Sequence, residues 1–323
     1  MYCHHVRQVF LELCDTLKAN DQLDLAVVNT EMEKSNRDSA GTTVPDDYSF
    51  ANNYFYETYL LIHRNVKNII RTKELFLARL GSSVGFGFLM GSLFYNLAET
   101  DEGVAERVGY LVFTVAFFFY TSLEALPVFL NEREIFQREY GRGAYRAISY
   151  VTAVSLVYVP FLLILGLLFI IPSYWLVMLP NRAETFFFYV LILLCTNIAA
   201  QSFAVLISVL LPDPMAGQSA GSGLFSVMFL MSGYFITKDK IPNWWSWLHY
   251  LSLFKFSYES MIINILLTKI ETPTRTNEEI MIAYSVNDVS KWRGIGVLLG
   301  YSVFYRFIFY VVLMKHYNGR RKE

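Results

Sequence analysis

Long apolar stretches separated by short polar segments fill the chain from residue 75 to residue 314. Crossing about 30 Å of hydrocarbon takes about 20 helical residues, because a helix satisfies its own backbone hydrogen bonds. Six stretches reach that length, so the pattern predicts an all-α membrane protein with six transmembrane helices. The predicted spans are residues 75–96, 107–130, 149–178, 185–211, 215–236 and 294–314.

The third predicted span is longer than one perpendicular helix needs. No charged residue lies between Arg146 and Arg182, and Pro160 and Pro172 fall inside this run. Proline kinks a helix, and an over-long helix can tilt, so we expect one kinked, tilted helix or a span with an interfacial lead-in. Two shorter spans are the alternative.

The segments outside the spans differ in composition. Residues 1–50 are polar and predict a helical stub and linker, whereas residues 51–73 mix aromatic and basic side chains like an amphipathic helix at a membrane surface. The membrane domain would then cover residues 74–318, followed by a basic tail at 319–323. Residues 244–267 are apolar and rich in tryptophan but carry charges, which predicts a re-entrant or interfacial helix before the last span.

Basic residues are concentrated on one side of the predicted membrane. They precede span one, lie between spans two and three and follow span six, whereas the loop from Asn96 to Glu106 carries four acidic residues and no base. Because Lys and Arg near span ends mark the cytosolic side, both termini are predicted to be cytosolic. These bases are Arg64, Lys67, Arg71, Lys73, Arg79, Arg133, Arg138, Arg142, Arg146, Lys315, Arg320, Arg321 and Lys322.

Composition agrees with a membrane protein and excludes several kinds of site. The chain is 54% hydrophobic and 17% aromatic, with a formal net charge of −1. Its three cysteines and five histidines have no metal-site spacing, and no G-x-x-x-x-G-K-[ST] phosphate loop or nucleophile elbow occurs. We therefore expect no catalytic centre, no metal and no cofactor within these 323 residues.

Two charged residues stand out deep inside the predicted spans, Glu124 in the second and Arg306 in the sixth. A carboxylate in hydrocarbon is costly unless it is paired, so Glu124 is expected to face the interior of the bundle. It either holds neighbouring helices together or takes part in substrate binding or gating. Arg306 is expected to extend toward the cytosolic face, which is the usual solution for a long basic side chain.

Three further patterns suggest contacts. Residues 131–146 form a predicted cytosolic loop with many charges beside aromatic rings, which favours docking of a soluble partner over a merely solvated loop. Aromatic runs in spans two and five suit an apolar ligand cavity, or equally a lipid-facing surface. Small residues allow close helix packing, although this signal is weakly specific. They are Gly81, Gly85, Gly87, Gly91, Gly217 and Gly221.

Long ordered segments resemble a known family. The sequences NEREIFQREY at 131–140, YRAISY at 145–150 and SGYFITKDKIPNWWSWLHYLSLFKFSYES at 232–260 are similar to the ABC-2 type membrane half of ABC transporters of the G (White) subfamily. The most specific parts are residues 132–149 and 232–260. The similarity covers residues 50–318 and is nearest to plant-type half-transporters. It implies a type V exporter fold, in which two halves dimerise and ATP binding by nucleotide-binding domains drives alternating access.

The resemblance also implies roles for particular residues. The 51–73 helix would be the connecting helix, and the segment from Glu132 to Arg146 would be the coupling loop that rests on the ATPase domain. The implied coupling residues include Glu132, Arg133, Glu134, Arg138, Glu139 and Tyr140. The substrate cavity would be lined by Phe117, Tyr120, Thr121, Glu124, Ser226, Phe229 and Leu230, with Tyr234 and Phe235 at the outer valve.

Half-transporters of this family carry their ATPase domain upstream in the same chain, whereas this sequence starts where that domain should end. We therefore expect a fragment, or a permease that uses a nucleotide-binding domain, with its ATP and Mg²⁺, from elsewhere. The expected function is export of a lipophilic molecule by a homo- or heterodimer at the plasma membrane. Nucleic acid is not an expected partner. A catalytically silent partner that regulates a complete half-transporter is the alternative, and an ion channel or membrane enzyme is disfavoured.

Overall fold

The computed structural model describes residues 53–71, 73–97, 100–141, 144–236, 240–266, 279 and 290–318. The predicted stub and linker at 1–50 and the basic tail at 319–323 lie outside these residues. Regular structure in the described part of the chain is helical throughout. The helices are α1 (Tyr54–Arg71), α2 (Lys73–Leu93), α3 (Asp101–Leu123), α4 (Leu126–Gly141), α5 (Ala147–Leu176), α6 (Ala183–Leu210), α7 (Pro214–Leu230), α8 (Ser246–Leu251), α9 (Leu253–Leu266) and α10 (Lys291–Asn318).

Four stretches of the described residues are long and apolar enough to cross a membrane. They are Glu102–Gly141, Ala147–Leu176, Ala183–Leu210 and Lys291–Lys315. Helix α2 has 21 residues and α7 has 17, the latter shorter than the about 20 that a perpendicular crossing takes. The chain is therefore a multi-pass helical protein, and the count of six crossings stays a prediction.

The expected loop at 131–146 is wrong over most of its length, because α4 continues as a helix to Gly141. The reason lies in the spacing of its apolar and buried positions. Phe129, Glu132, Phe136 and Tyr140 recur every three or four residues and share the buried face of α4. A charged helix with one packed face fits this pattern as well as a loop does.

The long third stretch forms one helix, α5, with Pro160 and Pro172 inside it. At 1.5 Å per residue, its 30 residues extend for about 45 Å, more than the hydrocarbon thickness. The structure therefore gives one long helix instead of two short spans. Its N-terminal turns pack against α1, and its remaining length packs against α2 and α6.

Close helix contacts involve some of the predicted glycines. A Cβ atom added to Gly87 would lie 2.7 Å from the Phe169 carbonyl oxygen on α5, and one on Gly91 would meet Leu176 at 2.8 Å. Gly81 and Gly85 face open space. Of the four glycines predicted in this span, Gly87 and Gly91 thus allow the close approach of α2 to α5.

The segment predicted to be re-entrant contains two helices, α8 and α9, joined at Ser252. Helix α9 packs against α6 and α10, and its core residues Phe254, Met261 and Ile262 are almost fully buried. The side chains of Trp244 and Trp247 are exposed, as expected for residues at headgroup level. The re-entrant path itself stays a prediction.

Candidate functional site

A groove of about 510 Å³ lies between helices α2, α3 and α7. It contains five of the seven predicted cavity residues, since Ser226 and Leu230 do not line it. We call it the aromatic groove. Its lining residues are Phe86, Phe113, Ala116, Phe117, Tyr120, Thr121, Leu123, Glu124, Gln218, Ser222 and Phe229.

Stacked rings form one wall of the aromatic groove. Phe86 and Phe117 are parallel with centroids 4.3 Å apart, and Phe117 stacks on Phe169 of α5 at 5.2 Å. Rings in these arrangements gain attraction beyond the area that they bury. This wall is therefore a rigid apolar surface against which a flat or branched hydrocarbon can pack.

The opposite wall places hydroxyl and amide groups at the groove surface. The Tyr120 hydroxyl lies 2.8 Å from Ser226 Oγ, which in turn donates to the Ser222 carbonyl oxygen. This bond joins α3 to α7, so Ser226 positions Tyr120 although it does not line the groove. Leu230, with 45% of its surface exposed, lies beyond the groove on the same helix.

Glu124 lies at the end of α3, with 46% of its side chain exposed. Its Oε2 is 3.9 Å from Nε of Arg79, whose side chain is only 8% exposed. The Arg79 Nη2 atom also donates to the Thr121 carbonyl oxygen at 2.8 Å. Glu124 therefore presents a carboxylate to the groove while a buried cation balances its charge.

The position of Arg79 changes the prediction that Glu124 and Arg306 are the two charged residues deep inside the predicted spans. Sequence analysis counted it among the bases before span one, but it lies inside α2 and is buried. Its position five residues into the predicted span was the available signal. Arg79 is therefore a third charged residue deep inside the predicted spans, in addition to Glu124 and Arg306, whereas Arg107 is the first residue of span two.

Arg306 hydrogen-bonds side chains of two neighbouring helices. Its Nε donates to Ser202 Oγ of α6 at 3.1 Å, and its Nη1 donates to Ser155 Oγ of α5. One guanidinium thus joins α5, α6 and α10. Sequence analysis missed this contact because the two serines lie more than a hundred residues away from Arg306 in the chain.

The residues expected at the outer valve lie next to the groove. Phe235 contacts Phe229 edge to face at 5.2 Å, and Tyr234 contacts Phe235 at 4.9 Å. Tyr234 is also close to Gly109 of α3, where an added Cβ would be 3.7 Å from its hydroxyl. Both residues are therefore placed so that movement of α3 or α7 would change their contacts.

Some of the predicted coupling residues contact other helices, whereas others are exposed. Arg133 donates to the Ser208 and Leu211 carbonyl oxygens at 2.7 and 3.2 Å, which satisfies carbonyl groups left free at the end of α6. Glu132 is buried, and the Tyr140 hydroxyl contacts Met314 Sδ at 3.6 Å. The side chains of Glu134, Ile135 and Arg138 are exposed on the opposite face of α4.

Helix α1 is held against α4 and α5 by two acidic residues. Glu139 of α4 accepts hydrogen bonds from Arg64 of α1 and from the Tyr145 hydroxyl, the latter at 2.8 Å. Burial raises the pKa of the Tyr145 hydroxyl, and the bond to Glu139 raises it further, so Tyr145 remains a neutral donor. Glu57 of α1 accepts from the Ser149 hydroxyl at 2.9 Å.

Six groove residues are absent from the predicted cavity set, although helical spacing contains a signal for most of them. They are Phe86, Phe113, Ala116, Leu123, Gln218 and Ser222. Gln218 and Ser222 precede Ser226 at intervals of four residues, and Phe113 precedes Phe117 by the same interval. Residues four apart lie on one face of a helix. Phe86 has no such signal, because it reaches the groove from α2.

A bundle of long apolar helices around an aromatic groove defines a multi-pass membrane protein with a ligand-sized site. The ABC-2 type transporter family model matches residues 56–266, and the chain belongs to that family. Within the part of the chain that the structure describes, no group of three or more His, Cys, Asp or Glu residues is placed to hold a metal ion.

Several curated plant proteins are similar to the chain. ABC transporter G family member 5 of Arabidopsis thaliana is 41% identical over 271 residues, which cover 82% of this chain and 42% of that protein. Member 23 of the same plant is 33% identical over 314 residues, covering 94% and 50%. The G family member STR2 of Petunia hybrida is 32% identical over 272 residues, covering 82% and 37%. The chain thus spans half or less of the length of these relatives.

Proposed function

We propose that this chain is the membrane-spanning half of an ATP-driven exporter that moves a lipophilic molecule through the aromatic groove. One observation supports this most directly. The groove residues of α3 and the exposed charged face of α4 belong to consecutive helices separated only by residues 124 and 125. A movement imposed on α4 would therefore be passed to the groove.

The substrate class follows from the surface of the groove. Its volume of about 510 Å³ lies within the about 300–1,000 Å³ typical of small-molecule sites. Its walls are mostly aromatic and aliphatic, and Glu124, Gln218 and Ser222 supply a few polar groups. An apolar molecule with a small number of hydrogen-bonding groups fits this chemistry.

The exposed residues Glu134, Ile135 and Arg138 form the surface proposed to rest on a nucleotide-binding domain, which would supply ATP and Mg²⁺. Charges of both signs beside an apolar side chain suit a docking surface of this kind. The buried Glu132, and Arg133 through its bonds to the end of α6, would make α4 rigid enough to transmit the movement. Helix α1 would serve as the connecting helix.

The groove is open on one side, and α7 exposes Leu224, Val227 and Leu230 next to it. A second half-transporter, identical or different, is proposed to cover this side and complete the cavity. Tyr234 and Phe235 would then close the cavity toward the outside. The proposed arrangement has six crossings, a re-entrant segment that includes α8 and α9, cytosolic termini and a location in the plasma membrane.

Export can be measured in cells that express the chain with or without a nucleotide-binding domain taken from a plant G family half-transporter. A fluorescent sterol serves as the probe. We expect ATP-dependent efflux only when both polypeptides are present, and efflux by the chain alone would refute the coupling mechanism. Glu124→Gln should reduce efflux about tenfold, because a neutral amide loses the charge presented to the groove.

The exposed carboxylate Glu106 on α3 is a matched control, since Glu106→Gln changes the same charge outside the groove. Unchanged efflux for Glu124→Gln would remove its proposed role. Absence of efflux with the nucleotide-binding domain, together with reduced efflux by a co-expressed complete half-transporter, would favour the alternative of a catalytically silent partner. That alternative is motivated by the missing phosphate-loop motif.

A further inference from the structure

The second predicted span is interrupted between the aromatic groove and the exposed face of α4. We call that face, which carries Glu134, Ile135 and Arg138, the coupling face. Helix α3 ends at Leu123 and α4 begins at Leu126. Pro127 follows directly and has no backbone N–H, so it cannot donate to the Leu123 carbonyl oxygen as a continuous helix would require. The chain therefore has a weak point between the residues that line the groove and those that would meet a motor.

Backbone hydrogen bonds around this interruption are of the tighter 3₁₀ type. The Glu124 N–H donates to the Thr121 carbonyl oxygen at 3.2 Å, and the Ala125 N–H donates to that of Ser122 at 3.3 Å. In an α-helix the Ala125 N–H would donate to Thr121 instead. Such short 3₁₀ segments within longer helices often mark hinges.

Arg79 of α2 supplies the additional donor at this point. Its Nη2 donates to the Thr121 carbonyl oxygen at 2.8 Å, and its Nε is 3.9 Å from Glu124 Oε2. One guanidinium thus bonds the carbonyl group before the interruption and pairs with the carboxylate inside it. Hydrogen bonds from charged donors are stronger than neutral ones, particularly where water is excluded.

The surroundings hold the Arg79 side chain in place. Its guanidinium lies 5.7 Å from the ring centroid of Phe161 on α5, and Leu162 and Leu165 of the same helix line the small space beside it. Asn197 of α6 lines that space as well. Arg79 therefore packs against α5 while it contacts the interruption.

We propose that Arg79 is a positioning residue that fixes the interruption between α3 and α4 and sets the orientation of Glu124 in the groove. This inference rests on the proposed transport function, because the interruption matters when α4 is moved by a motor. Loss of the Arg79 contact would let α4 turn independently of α3. Movement of the coupling face would then no longer reach the groove.

The proposal can be tested by hydrogen exchange on the full chain in phosphatidylcholine nanodiscs, without substrate or nucleotide. Arg79→Gln should speed exchange of the amides of residues 124–126 about tenfold, because their bonds open more often. Arg306→Gln removes a partly buried arginine that hydrogen-bonds other helices away from the interruption, and it is the matched control. Its effect on the same amides should stay within about twofold, and an equal rise would overturn the proposal.

Pro127→Ala provides the decisive second variant. An alanine restores the missing N–H, so residue 127 can donate to the Leu123 carbonyl oxygen and the helix becomes continuous. In this background Arg79→Gln should leave exchange of residues 124–126 unchanged. An effect that persists would show that Arg79 acts through packing on Phe161 alone, and the proposal would fail.

Folding of the variants is also informative. If Arg79→Gln prevents folding, the double variant with Pro127→Ala should fold again, whereas failure of both would overturn the proposal. The sterol efflux assay separates the two levels of inference. If exchange is faster in Arg79→Gln but the wild-type chain with its nucleotide-binding domain shows no efflux, only the transport function is refuted. If that wild-type pair shows efflux but exchange in Arg79→Gln is unchanged, only the role of Arg79 is refuted.

Discussion

Glu57 shows how one helix can complete the end of another. Helix α5 begins after Arg146, whose own side chain makes no capping hydrogen bond. Instead, Glu57 of α1 accepts from the Arg146 backbone N–H at 3.3 Å and from the Ser149 hydroxyl at 2.9 Å. A carboxylate at a helix N-terminus is also favoured by the helix dipole. Glu57 therefore attaches α1 to α5 and caps α5 at the same time.

Replacing Glu57 by alanine should lower the free energy of unfolding by about 1–2 kcal/mol, because the Arg146 N–H and the buried Ser149 hydroxyl lose their acceptor. Unfolding of the purified chain by transfer from dodecyl maltoside into dodecyl sulfate micelles measures this change. Glu106→Ala is the control, since it removes an exposed glutamate from α3. An equal loss in both variants would contradict the capping role of Glu57.

At this scale, sequence predicted the residues of a single helix better than contacts between helices. Phe117, Tyr120, Thr121 and Glu124 recur at helical spacing, and the structure places them in one groove. Arg79 was misassigned because its partners Thr121 and Glu124 lie more than 40 residues away in the chain. No local sequence pattern predicts a contact between residues so far apart in the chain.

At the scale of elements, the contact between α2 and α5 depends on where a backbone can approach closely. Gly87 lies where an added Cβ would be 2.7 Å from a backbone oxygen, which cannot move as a flexible side chain can. Gly85 lies on the same helix and faces open space. The two positions therefore separate the effect of close packing from the intrinsic preference for helix.

Gly87→Ala should destabilise the chain by about 1–3 kcal/mol, because α2 must move away from α5. Gly85→Ala should be neutral or slightly stabilising, since alanine favours helix more than glycine does. The same micelle titration measures both variants. Equal behaviour of the two would show that α2 does not pack on α5 through Gly87.

The apolar pattern predicted the helices of the membrane domain with ends that differ by a few residues from those in the structure. It failed at 131–146, where the density of charge suggested a loop and the structure has α4. A charged segment can be helical when one face is packed, as Phe136 and Tyr140 are. Hydropathy alone does not distinguish this helix from a solvated loop.

For the whole molecule, the predicted topology has a direct test by cysteine labelling in intact cells. The variant background replaces Cys3, Cys14 and Cys195, and single cysteines are then placed at Glu102 and Arg138. Because basic segments face the cytosol, we expect an impermeant maleimide to label Glu102→Cys from outside. Arg138→Cys should react only after the cells are made permeable.

Labelling of Arg138→Cys in intact cells would contradict cytosolic placement of the coupling face. The background without an added cysteine is the control and should remain unlabelled. The predicted topology rests on the distribution of basic and acidic residues along the sequence. The packing of α5 between α1, α2 and α6, in contrast, was learned from the structure.

Because α5 and α7 differ in length, the shape of the aromatic groove should depend on the thickness of the surrounding bilayer. Helix α5 extends for about 45 Å and α7 for about 26 Å, given their 30 and 17 residues. A thick bilayer must become thinner beside the short helix α7. In a thin bilayer, the long helix α5 must tilt further from the membrane normal. Since α7 forms one wall of the groove and α5 supports Arg79, lipids of different chain length would reshape the groove without touching its residues.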